Sequence, residues 1–145
     1  MRALAVLLAF ALALVASETP AQVPPTGTTA PGVLIVAAAV GTTAGTIATL
    51  AGTPGKTTYI CGFSVAPGSA ATAITINVTV TGPASTFTYS VGAPVTAVGT
   101  TGAVLTQTFS PCVSASAPNT GIAVAAGALG TSGVNQDVNV WGFQR

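Results

Sequence analysis

Ile74-Thr75-Ile76-Asn77-Val78-Thr79-Val80-Thr81 decides the fold class. Ile74, Ile76, Val78 and Val80 occupy every second position, and Thr75, Asn77, Thr79 and Thr81 fill the gaps. A period of two places the apolar set on one face of a strand and the polar set on the other. β-Branched side chains are stiff at χ1 and suit a pleated, half-buried surface. The stretch therefore reads as a strand with one face on a core.

Seven further runs of this kind lie around it: 33–40, 45–50, 57–66, 86–91, 103–109, 120–126 and 134–143, with the quoted strand inside 72–81. Turn residues separate them: Thr53-Pro54-Gly55, Pro67-Gly68-Ser69, Gly82-Pro83, Gly92-Ala93-Pro94, Ser110-Pro111, Ala117-Pro118-Asn119 and Gly130-Thr131-Ser132-Gly133. Gly supplies positive φ, Pro presets a turn position, and Asn bonds its own backbone. Within the runs, Tyr59, Cys61, Phe63 and Val65 alternate onto one face, as do Phe87, Tyr89 and Val91, and Ile122 and Val124. In the last run Val138 and Val140 share one face and Trp141 and Phe143 the other; that strand is buried on both faces or meets a neighbouring chain. Helix has no support beyond the first residues of the chain. The pattern predicts an all-β, two-sheet antiparallel sandwich, a jelly roll of about eight strands. An Ig-like sandwich is the alternative, weakened because Trp141 is not between the cysteines.

The N-terminal residues read as an export signal. Met1-Arg2 is a short positive region, 3–16 is an apolar run, and small residues follow. The run is shorter than the roughly 20 residues a membrane-spanning helix needs. Cleavage after Ser17 or after Ala21 fits; the second agrees better with Glu18-Thr19-Pro20 as the polar segment before the cut. The expected organisation is a signal peptide over 1–21, a Pro/Gly/Thr-rich linker or arm over 22–32, and one β-domain over 33–145. Localisation is expected to be extracellular, at the cell surface or periplasmic. No later segment reaches membrane-spanning length without Gly, Pro or Thr, so the mature chain carries no membrane span.

Composition narrows the function. Half the residues are apolar and only 3% are charged, against roughly 25% in an ordinary globular protein. With Arg2 removed, Lys56 and Arg145 are the only basic side chains. That is too few for phosphate neutralisation, which excludes nucleic acid as a partner. Histidine is absent, so a Ser-His-Asp arrangement is unavailable. Lys56 could activate a serine only if desolvated beside one; in Thr53-Pro54-Gly55-Lys56-Thr57-Thr58 it reads as a solvated turn lysine. Glycoside hydrolysis needs two carboxylates, and the domain holds Asp137 alone. No catalytic residue, metal or cofactor is assigned.

Cys61 and Cys112 are the two cysteines. In an exported chain an even number points to a disulfide, with two buried thiols or an interchain bond as the alternatives. Asn135, Asp137 and Asn139 could offer oxygens to Ca²⁺. In a strand they spread over about 13 Å, which suits a polar face better than one coordination sphere. Tyr59, Tyr89 and Trp141 could form a sugar platform, but each sits in an apolar pattern and is expected in the core.

Three segments carry a resemblance. Gly55-Lys56-Thr57-Thr58-Tyr59-Ile60-Cys61-Gly62-Phe63, Asn119-Thr120-Gly121-Ile122-Ala123-Val124 and Val140-Trp141-Gly142-Phe143 together resemble small jelly-roll surface or decoration domains of phages and bacteria. The similarity runs over about 90 residues and rests on strand patterns. It implies a surface or virion protein, often trimeric, with a decoration or attachment role, and it transfers no site residue. The export signal departs from virion proteins and favours a bacterial surface or secreted protein. The expected function is a non-catalytic structural or interaction protein, with protein partners or self-association. A domain that binds carbohydrate or another small ligand is the alternative.

Overall fold

A computed structural model describes residues 32–41, 44–95, 102–130 and 135–145. The expected signal peptide and arm, apart from Gly32, lie outside the described residues. So does the Thr131-Ser132-Gly133 part of the last turn.

Eight strands form: β1 (Val33–Gly41), β2 (Thr46–Leu50), β3 (Thr58–Ala66), β4 (Ile74–Thr81), β5 (Phe87–Ala93), β6 (Leu105–Ser114), β7 (Ile122–Ala126) and β8 (Gln136–Gln144). The described residues contain no helix. The strands make two antiparallel sheets, β1-β8-β3-β6 and β2-β7-β4-β5. Only β4 and β5 follow each other within a sheet; every other connection crosses to the opposite one. This order is the jelly roll, and it replaces the Ig-like alternative.

The core lies between the sheets. One wall presents Ile60, Phe63 and Val65 from β3 with Val138 and Val140 from β8. The other presents Leu50, Ile76, Val78, Val80, Ile122 and Val124. The alternation in β4 survives intact: Ile76, Val78 and Val80 are buried, and Thr75, Asn77 and Thr81 are exposed. Phe63 anchors one side of the core, with Tyr89 edge-on at 5.3 Å and Phe109 tilted at 6.3 Å.

β3 departs from simple alternation. Its pairing with both neighbours shifts between Ile60 and Gly62. A bulge inserts one residue and reverses the parity of the residues after it. Phe63 and Val65 therefore face the core, while Tyr59, on the other side of the bulge, faces outward with its ring on Phe143. The four do not share one face as plain alternation predicts.

β6 also runs further than its turn signal indicates. Ser110-Pro111, a cis peptide, reads as a break, yet the strand continues to Ser114. Leu105–Thr108 pair with Gly62–Val65, and Val113 and Ser114 pair with Ile60 and Tyr59. The residues 109–112 bow out between the two paired parts. Pro tolerates this place because it has no N–H to leave unpaired and the strand is at a sheet edge.

Candidate interaction face

The outward face of the β1-β8-β3-β6 sheet can be read row by row from its register. Leu34, Phe143, Tyr59 and Ser114 lie side by side across the four strands. The next row is Val36, Trp141, Gly62 and Thr108. Ala38, Asn139, Ser64 and Thr106 follow, and then Val40, Asp137 and Ala66. The face thus passes from aromatic and aliphatic at the Arg145 end to small and polar at the other.

Three contacts organise the aromatic end. The Tyr59 and Phe143 rings stack with centroids 4.7 Å apart and planes 10° apart. Arg145 lies over the Tyr59 ring, its guanidinium carbon 4.8 Å from the centroid, and its Nε donates to the Tyr59 hydroxyl at 3.2 Å. Arg145 is held by backbone hydrogen bonds with Thr57 in both directions. Trp141 lies across Gly62: a Cβ there would be 2.7 Å from Trp141 Cε2 and 2.6 Å from the Gln107 carbonyl oxygen. Glycine at 62 is what lets the indole lie flat against the sheet.

Of the three candidate platform aromatics, Tyr89 packs against the core as expected. Tyr59 and Trp141 do not; both are half-buried on the outward face. For Tyr59 the cause is the bulge. For Trp141 it is the strict alternation of β8, which buries Val138, Val140 and Gly142 on the opposite face. Phe143 joins them, a residue whose place opposite Val138 and Val140 was legible in the sequence and whose stacking on Tyr59 was not.

Cys61 and Cys112 form an intrachain disulfide with Cα atoms 4.3 Å apart. It joins the bulge of β3 to the bowed stretch of β6, where the backbone ladder is interrupted. Both cysteines are half-buried.

Large apolar side chains are also exposed beside the aromatic rows. Leu34, Val36 and Val40 are 74%, 72% and 68% exposed. Val33 and Ile47 are exposed as well, and the only others among the described residues are Val95 and Val104. The first five all belong to β1 and β2, and each of these strands ends its sheet. The two strands lie against each other along one side of the sandwich. β1 pairs with β8 through nine consecutive residues without a register shift, and among the described residues no strand pairs with its other edge.

The remaining polar candidates are scattered. Lys56 is in the β2–β3 loop, its N–H donating to Thr53 O at 3.1 Å. Asp137 and Asn139 point outward from β8 in separate rows, and no group of three His, Cys, Asp or Glu side chains gathers among the described residues. Asn119, with φ of 65°, does not bond its own backbone as its turn chemistry predicts. Its Oδ1 accepts from Gly55 N at 2.6 Å and its N–H donates to Lys56 O at 2.9 Å, which clamps two loops together.

Two buried glutamines at the ends of β8 differ sharply. Gln144 is satisfied: Oε1 accepts from Thr53 Oγ1 at 2.8 Å, and Nε2 donates to Ala51 O at 2.6 Å and Thr58 Oγ1 at 3.2 Å. Gln136 is fully buried, and neither its Oε1 nor its Nε2 finds a hydrogen-bond partner among the described residues. Sequence reasoning singled out neither. The signal was there, since both fall on the inward parity of Val138 and Val140.

Comparison with protein-family models, curated proteins and solved structures found no match. Among the described residues no helix is long and apolar enough to cross a membrane.

Proposed function

We propose that this chain is an exported, non-catalytic structural protein that works as a subunit of an envelope, appendage or particle-surface assembly. The observation that carries this reading is the set of exposed Leu34, Val36 and Val40 on the outward face of an edge strand. Contiguous exposed apolar surface marks interaction sites. The charged side chains of the described residues, Lys56, Asp137 and Arg145, offer no nucleophile–base pair, which supports a role in surfaces rather than catalysis. The disulfide supports an oxidising compartment, and the jelly roll agrees with the surface and decoration domains that the sequence resembles. Light scattering on the purified protein tests the reading. Self-association at micromolar concentration is expected; a strictly monomeric, dispersed species at high concentration counts against it.

A second reading has its own observation. Tyr59, Phe143 and Trp141 share the outward face with Arg145 beside them, a surface on which the apolar face of a sugar ring could stack. Trp141 is the one tryptophan, so its emission reports occupancy directly. A glycan array without hits, and no emission change on adding oligosaccharides, would end this alternative.

A further inference from the structure

We infer that two copies of this chain join edge to edge through β1, with Ala37 on the two-fold axis. This rests on the assembly reading above and names the partner and the register.

The edge of β1 that no described strand pairs with is the starting observation. Nine residues, Val33–Gly41, run without a bulge, a proline or a charge. Proteins commonly guard such an edge with Lys, Pro, a bulge or a covering element. Here the edge is regular and its outward side chains are apolar, so it is a template for another strand.

The occupant is set by three features. First, β1 carries no charge, so a second β1 meets no like-charge pair, whereas a charged partner segment would find nothing to pair with. Second, the strand is complementary to itself. Antiparallel pairing centred on Ala37 sets Leu34 against Val40 of the second copy and Val36 against Ala38. The exposed apolar residues then meet as cross-strand neighbours on one face. A two-fold contact requires such self-complementarity. Third, the area fits a modest specific contact. β1 spans about 30 Å and the five-residue β2 about 17 Å, each covering about half of a side some 20 Å across. That is about 470 Å² per copy, or about 940 Å² in all, close to the roughly 1,000 Å² of a specific interface. The result is a continuous eight-stranded sheet with an aromatic patch from each copy on the same outer surface.

The test is the solution mass of the protein as secreted, measured by light scattering on a sizing column at several concentrations. The expected mass is twice that of the chain. Val36→Lys should halve it, and Val104→Lys, away from the wall, should leave it doubled. Both positions are exposed, so circular dichroism should match the wild type, and Val36→Lys should lower Tm only by the lost contribution of the dimer. A Val36→Cys/Ala38→Cys variant should form a covalent dimer on a non-reducing gel, because each new cysteine faces the other kind across the two-fold. A species that stays multimeric in Val36→Lys, or a multimer that gives no covalent dimer with the cysteine pair, overturns the β1 contact and leaves the assembly reading standing. A monomer at every concentration overturns both.

Discussion

Removing the Cys61–Cys112 bridge should cost about 4 kcal/mol of stability. The two cysteines are 51 residues apart. In the chain-entropy model, closing a loop of that length removes about 14 cal/mol/K from the unfolded ensemble, or about 4 kcal/mol at 25 °C. For a domain of this size, with typical stability of about 5–15 kcal/mol, that is a large share of the total. The location adds to the effect. Leu105–Thr108 and Val113–Ser114 are held to β3 by their own pairing, but the residues between them bow away from the ladder. The disulfide ties this stretch to the sheet, and Phe109 within it packs against Phe63 and Phe87. The assay is urea unfolding of the oxidised wild type and of a Cys61→Ala/Cys112→Ala variant, followed by Trp141 emission and far-ultraviolet circular dichroism. With a urea slope of about 2 kcal/mol/M, the midpoint should fall by about 2 M. A loss below about 1 kcal/mol would refute the loop-entropy reasoning. Titration of two free thiols in the native protein would refute the bridge itself.

Three further outcomes are expected from the packing. Gln136→Met should stabilise the fold by about 1–3 kcal/mol, since it removes a buried amide without partners, whereas Gln144→Met should destabilise it by about 2–3 kcal/mol by orphaning Ala51 O and the Thr53 and Thr58 hydroxyls; parallel thermal melts check both, and equal signs would sink the argument. Gly62→Ala should cost about 1–3 kcal/mol by overpacking and should shift the Trp141 emission maximum, because the new methyl displaces the indole; an unchanged spectrum would contradict the close approach. Asn119→Ala should cost about 1–2 kcal/mol through its positive φ and the lost bond to Gly55, and Asn119→Gly should cost less because glycine accepts that φ; urea midpoints rank the two.

Much of this architecture is written locally. Two-residue alternation and Gly/Pro turns place eight strands within a few residues of where they lie, and in β4 they also assign each side chain to its face. That works because the side-chain period of a strand is a property of the backbone alone. The two cysteines pair as their even number implies. That Trp141 and Phe143 lie on the face opposite Val138 and Val140 was legible in the same way, although Trp141 was expected in the core.

Tertiary structure decided what parity cannot. The bulge at Cys61-Gly62 turned Tyr59 away from the face that Phe63 occupies, because a bulge depends on what the neighbouring strands β6 and β8 accept. Partner strands likewise carried β6 through Ser110-Pro111, where local chemistry signals a stop. Gln136 and Gln144 look alike in sequence; only the loop carrying Ala51 and Thr53 makes one a bonded anchor and leaves the other alone. Strand order, too, is a choice among distant partners, and it alone put β1 and β2 together at one edge of the sandwich. The alternation in 33–40 could belong to any half-buried strand. Outward parity turns Leu34, Val36 and Val40 away from the core, and the place of β1 at the end of a sheet leaves them with a lateral neighbour on one side only.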